Sequence, residues 1–167
     1  DATVKAAVDI DLVVAAEQLQ QAADLLRSDG YRLEQPSGAY DAGRLRAWHG
    51  PGKESTWVRT DPWSVVDLHT RLSDHPRLIP AIGTSSPRRM VEVSKGVQLP
   101  TLQEKELFAY LCVHGASSAW FRLKWITDLA ALLHRENTAN IAHLHGRSQE
   151  LGAGRAAGQA LLLADAL

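Results

Sequence analysis

Cysteine is almost missing from this chain: Cys112 is the only one in 167 residues. A single thiol cannot build an internal disulfide framework and leaves no cysteine cluster for a zinc site. A reducing setting, the cytoplasm, is therefore expected. Long apolar runs are also absent. No stretch approaches the ~18 consecutive apolar residues that span a bilayer, and no basic-then-apolar leader is visible. Charge of one sign is not in excess either, with 18 Lys+Arg against 19 Asp+Glu and a net charge of −1. That balance argues against a polybasic binder of long nucleic acid or of membrane surfaces. Internal repeats and low-complexity tracts are missing. No methionine precedes Asp1, so the natural start is expected upstream.

What is present describes an ordinary globular chain. Hydrophobic residues make up 45% and charged residues 22%, enough to bury a real core. The preponderance of arginine over lysine points to a GC-rich bacterial source.

Along the chain, residues 8–14 (Val-Asp-Ile-Asp-Leu-Val-Val) have the composition of a strand, with aspartates at alternate positions. From Ala15 to Ser28 the pattern becomes helical, with Leu19, Ala22, Ala23, Leu25 and Leu26 as an apolar stripe. Gly30 is the expected stop, since glycine takes up the left-handed C′ position without steric cost. Residues 31–34, 44–49, 56–59 and 65–72 then read as short strands between Pro-Ser-Gly, Gly-Pro-Gly and Asp-Pro turns. Their short links predict antiparallel additions to the first strand. The proline-rich stretch 73–100 is expected to be irregular. From Thr101 onward helices are predicted: one opened by a Thr101/Glu104 capping box, one over 119–134, and two more over 139–151 and 155–166. The expected organisation is α+β, with a small mixed or antiparallel sheet and flanking helix over 1–100 and a helical bundle over 101–167.

Asp9 and Asp11 are the sharpest chemical feature. At i and i+2 of a strand their carboxylates share one face, and two anions that close repel unless a cation neutralises them. Hard divalent cations such as Mg²⁺ take such carboxylate oxygens together with substrate phosphates. Asp-x-Asp also arises by chance at exposed strand ends. Asp67, embedded in Ser-Val-Val-Asp-Leu-His, repeats the design, and His69 shares its face. If the two strands are neighbours, three carboxylates converge as two-metal chemistry requires; periodicity alone does not make them neighbours.

Taken in order, several segments resemble the uncharacterised nucleotidyltransferase family of the polymerase-β-like nucleotidyltransferase superfamily. They are Asp9-Ile-Asp11-Leu-Val-Val, the helix ending at Gly30-Tyr31, Val66-Asp67-Leu68-His69, Leu111-Cys-Val-His114-Gly115 and Arg122-Leu-Lys124-Trp125-Ile-Thr-Asp128-Leu. The resemblance covers almost the whole chain. It implies that Asp9, Asp11 and Asp67 bind two Mg²⁺ ions and are catalytic. It also implies transfer of a nucleoside monophosphate from an NTP such as ATP, with release of pyrophosphate. A small molecule, peptide or protein is the expected acceptor. The superfamily's Gly-Ser or Gly-Gly turn, roughly ten residues before the Asp-x-Asp, lets backbone amides approach the triphosphate. The eight residues before Asp9 contain no glycine. The turn is therefore either upstream or lacking, and in the second case the chain is a catalytically defective fold that serves as a binding or scaffolding protein.

In the C-terminal half, Arg122, Lys124 and His114 are the candidate nucleotide-binding residues. Against them stand an exposed helix face for Arg122 and Lys124, the latter spaced i,i+4 from Asp128, and a packed core imidazole for His114. Arg88 and Arg89 read as a basic surface loop that could also meet phosphate. Trp48, Trp57 and Trp63 fit either a base-stacking platform or core. Cys112 is expected to be buried and inert.

Overall fold

The computed structural model describes residues 9–134 and 136–166. The chain divides into two compact units, Asp1–Asp74 and His75–Leu167. The architecture is α+β, as the pattern predicts.

In the first unit, β1 (Ile10–Val13) leads through a short 3-10 turn (Ala16–Gln18) into α1 (Leu19–Ser28). The helix stops at Gly30, whose φ of 87° allows Gly30 N–H to donate to Arg27 O at 3.1 Å and Tyr31 N–H to Leu26 O at 3.0 Å. This is a Schellman closure, and it turns the chain directly into the next strand. Leu19 and Ala23 are buried with Leu26 packed beside them, while Leu25 of the predicted stripe faces solvent.

After β2 (Arg32–Gln35) comes α2 (Ala42–His49), where the sequence pattern predicted a strand over 44–49. Asp41 decides the matter: its Oδ1 accepts from Arg44 N–H at 2.7 Å and caps the helix, satisfying an otherwise orphaned amide. The apparent alternation of Leu45, Ala47 and His49 misled because a single turn of α2 buries Leu45 and His49 at i and i+4. Next, β3 (Glu54–Thr60) and β4 (Trp63–His69) form a tight hairpin. The sheet order is β1-β4-β3-β2. Strands β2, β3 and β4 are antiparallel as predicted, but β1 pairs parallel with β4. The sheet is thus the mixed one of the two expected forms, and the parallel pairing corrects the reading of antiparallel additions to the first strand; the chain between β1 and β4, with its helices, supplies the crossover.

Sheet periodicity separates two faces. One carries Trp57, Val66 and Leu68, which join Leu19, Ala23, Tyr31 and Leu45 in the core. The other carries Asp11, Glu54, Thr56, Asp67 and His69.

In the second unit the stretch expected to be irregular holds a two-stranded antiparallel ribbon, β5 (Arg88–Ser94) and β6 (Val97–Leu102), around Gly96 at a φ of 75°. Pro87 precedes β5, and Pro100 is accommodated inside β6 because that strand has a free edge. Helices α3 (Glu104–Ser117), α4 (Leu123–Leu133), α5 (Thr138–Glu150) and α6 (Gly154–Asp165) follow. Thr101 lies in β6 opposite Arg89, so the predicted capping box does not form; Gln103 is the N-cap residue of α3 and makes no side-chain cap. Ala119 and Trp120 take φ values of 50° and 54°, which moves the start of α4 past the predicted residue 119. The bundle core gathers Phe108, Cys112, Trp120, Leu129, Leu144 and Ala157. Buried Glu106 is met by Arg147, with Nε at 3.2 Å and Nη2 at 3.1 Å from Oε1, so this carboxylate is not left uncompensated.

Candidate functional site

The parallel pairing of β1 with β4 places Asp11 directly opposite Asp67. In-register residues of neighbouring strands project to the same side, so the two carboxylates share one face of the sheet. Asp9, just before β1, is exposed at the same edge. The strand adjacency that periodicity left open is therefore present.

Each carboxylate is held by a neighbour. Thr56, opposite Asp67 on β3, donates its hydroxyl to Asp67 Oδ1 at 2.6 Å. His69, two residues further along β4, is only 3% exposed, and its Nε2 lies 2.8 Å from Asp11 Oδ1. His69 Nδ1 faces Glu54 Oε2 at 3.4 Å, an ion-pair distance without a well-formed hydrogen bond. With Nε2–H donating to Asp11, a neutral imidazole leaves a lone pair on Nδ1; a protonated one presents N–H groups to both carboxylates. Lys53 Nζ closes the row, 3.2 Å from Glu54 Oε2 and 3.7 Å from Asp74 Oδ2.

Asp67 is pushed above the ordinary carboxylate range. Burial is the main cause, opposed by the Thr56 hydrogen bond and reinforced by the negative charges of Glu54, Asp11 and Asp9. Such a carboxylate holds a proton more tightly than a solvated one, and the like charges that add to the effect are a field a divalent cation would relieve. The donor set therefore fits magnesium in type, with hard carboxylate oxygens arriving from adjacent strands. Among the described residues no group of three or more His, Cys, Asp or Glu is arranged to hold an ion. The fit thus lies in donor chemistry and strand register, while a closed ligand cage is not formed.

His49, at the end of α2, sits behind this row. Its Nε2 is 3.0 Å from Ser55 Oγ and its Nδ1 3.1 Å from Thr70 Oγ1. Burial, with His69 and Arg71 adding positive charge, lowers its pKa to about 4. The reading of the sequence singled out neither His49 nor Glu54 and Thr56. For the latter two the signal was available, because Glu54 and Thr56 alternate along one strand; their opposition to His69 and Asp67 required the hairpin register.

The candidate nucleotide-binding residues and the basic pair Arg88 and Arg89 lie in the second unit. His114 is half-buried on α3, 5.9 Å from the Tyr110 ring and edge-on to Trp125 at 5.2 Å. Arg122 is exposed at the N-cap position of α4, with its guanidinium over Phe121 and Trp125. Lys124 is exposed in the first turn of the same helix, and Arg88 and Arg89 open β5 instead of forming a loop. The three tryptophans do not form a platform. Trp57 is fully buried in the core, whereas Trp48 and Trp63 are exposed on α2 and at the start of β4. Cys112 is buried and its thiol is pushed up to about 12, as expected for an inert core residue.

An α+β protein with carboxylates on paired strands of a mixed sheet is the class these observations define. The family model described as uncharacterised nucleotidyltransferase matches residues 1–167, and the chain belongs to that family. No curated protein matches it. Among the described residues no helix is long and apolar enough to cross a membrane.

Proposed function

We propose that this chain moves a nucleoside monophosphate from an NTP to a hydroxyl of a small-molecule, peptide or protein acceptor, with Asp9, Asp11 and Asp67 as the metal-binding and catalytic carboxylates. The observation that supports this most directly is the register of Asp11 opposite Asp67 in a chain whose family is described by nucleotidyl transfer. Magnesium held by these three residues would supply neutralisation of the triphosphate charge and polarisation of the acceptor oxygen. His69 fixes the carboxylate of Asp11, and Thr56 fixes that of Asp67. In the transfer, the acceptor oxygen bonds to the α-phosphorus, the bond to the bridging oxygen breaks, and pyrophosphate leaves. Asp67 receives the acceptor's proton, a role suited to a carboxylate held above its ordinary range. Arg122, Lys124 and His114 are the proposed nucleotide-binding residues of the second unit, Arg122 and Lys124 through positive charge of the kind triphosphates attract.

A second reading is a nucleotidyltransferase-like fold that serves as a binding or scaffolding protein. It is favoured by the His69 contact, which already occupies Asp11 Oδ1. A thermal-shift titration with each NTP, with and without Mg²⁺ or Mn²⁺, separates the two. Ligand at about 100 times its Kd adds about 2.7 kcal/mol, or roughly 5–10 °C for a chain of this length. The transferase reading expects a shift that needs metal and nucleotide together and is lost in Asp9→Asn and Asp11→Asn. Equal metal–nucleotide affinity in both variants and the parent would remove the assignment of these residues.

A further inference from the structure

The ribbon of β5 and β6 takes no part in the proposed chemistry, and its apolar side chains are open to solvent. Met90 and Val93 are each 57% exposed, Val97 49% and Leu99 42%. A two-stranded ribbon standing alone is marginal in water, and an exposed apolar edge strand is a template for pairing with another chain.

The two edges are not equivalent. On β6, Pro100 removes an amide donor, which disfavours further pairing along that side. Along β5 every residue from Arg88 to Ser94 keeps its N–H. The pairing with β6 is regular from Arg88 to Glu92, so Arg88, Met90 and Glu92 alternate onto one face of the ribbon. Along that face they run cation, apolar, anion. Antiparallel pairing about a two-fold axis through Met90 sets Met90 against Met90 of the second copy. The same operation sets each Arg88 opposite a Glu92, twice over. Cross-strand pairs of opposite charge stabilise and like charges destabilise, so the pattern selects this register. Centring on Val91 instead would set Arg88 against Ser94 and Glu92 against Met90, leaving both charges without a counter-charge. Within one chain Arg88 makes no ion pair among the described residues, and Glu92 Oε1 accepts only from Gly96 N–H, at 3.0 Å.

We propose that β5 is the self-complementary pairing edge of a homodimer, in which two ribbons join through antiparallel β5 strands into a four-stranded sheet. The occupant of this edge is a second copy of the chain, because Arg-x-Met-x-Glu is complementary to itself under a two-fold and an isologous interface requires that property.

The test is light scattering coupled to size exclusion, up to about 1 mM chain so that even millimolar association registers. The parent is expected to approach twice its 18.2 kDa mass. Arg88→Glu and Glu92→Arg should each run as monomers. Mixed one to one, they should recover a heterodimer, because each mutated charge then meets its opposite and the second pair is native. Circular dichroism of the two variants confirms that they fold, and the mixture supplies the readout that a merely destabilising substitution would not give. A parent that stays at 18.2 kDa over the whole range would overturn the proposal. So would dimeric Arg88→Glu, a mixture that stays monomeric, or a monomeric parent that instead takes up an added extended peptide along β5.

Discussion

Asp67 is placed under opposing demands. Val66 and Leu68 beside it point into the core, which fixes the strand and draws the carboxylate partly out of water. Thr56 answers with one short hydrogen bond, while Asp11, Asp9 and Glu54 add like charge. Its raised pKa has a definite sign in the stability. The folded state holds the proton more tightly than the unfolded one, so the cost of the ionised group is absent at low pH and is fully imposed once pH rises above the folded pKa. Asp67→Asn keeps an oxygen for Thr56 and removes the charge. At pH 7 it should raise Tm by about 1–2 °C, less than the ~2–4 °C expected per kcal/mol, because the group is only part-buried and screened. The same variant should lose any metal-dependent nucleotide shift. A lower Tm measured by calorimetry would show that the carboxylate is a structural partner and not a strained one.

Elements are tied together by a few polar residues in otherwise apolar contacts. His49 links the end of α2 to Ser55 on β3 and to Thr70 just after β4, and Arg71 reaches back to the carbonyls of His49, Gly50 and Pro51. A histidine held near 4 against an ordinary 6.5 stays neutral in the fold while the unfolded chain takes up a proton. The fold therefore loses stability as pH falls from 6.5 towards 4, by at most about 1.4 kcal/mol per pH unit. His49→Gln should flatten that limb in denaturant titrations at pH 6.5 and pH 5, while costing about 1 kcal/mol at pH 8 through lost hydrogen bonding. An unchanged acid slope would place the titration elsewhere. In the helical unit, the Trp120 ring lies against Gly115 of α3 so closely that a Cβ there would overlap it. The backbone N–H of Trp120 donates to Gly115 O at 2.9 Å and its indole Nε1–H to Gln159 Oε1 at 3.1 Å, so the ring has little freedom to retreat. Gly115→Ala should cost about 1–3 kcal/mol, visible as a lower urea midpoint. Full parent stability would mean that α3 and the turn at Ala119 shift to admit the methyl group.

At the scale of the molecule, two cores serve two different jobs. In the first unit the apolar face of the sheet and two helices leave the opposite face for charge, so Asp11, Asp67, Glu54 and His69 are assembled without sacrificing packing. In the second, small residues such as Ala153, Ala157 and Ala160 are buried where helices meet, and the ribbon of β5 and β6 is left over with an apolar surface of its own. The net charge of −1 over the chain hides this arrangement, because composition averages over faces that the fold keeps apart.

Much of this was fixed locally. The strand Ile10–Val13, the helix ending at Gly30, the hairpin around Asp61-Pro62 and the four C-terminal helices follow from period, caps and turn residues that act within a few positions. The helix at Ala42–His49 escaped because its cap, Asp41, was a stronger signal than the alternation that followed it. The ribbon escaped because prolines that exclude a central strand are tolerated at an edge. Only the tertiary structure decided that β1 lies parallel to β4 in the register that joins Asp11 to Asp67, that His69 serves Asp11 and faces Glu54, and that Thr56 reaches Asp67. Those contacts span 11 to 58 residues of sequence. Register between distant strands is set by burying Val66, Leu68 and Trp57 together, a property of the assembled core that no single segment contains.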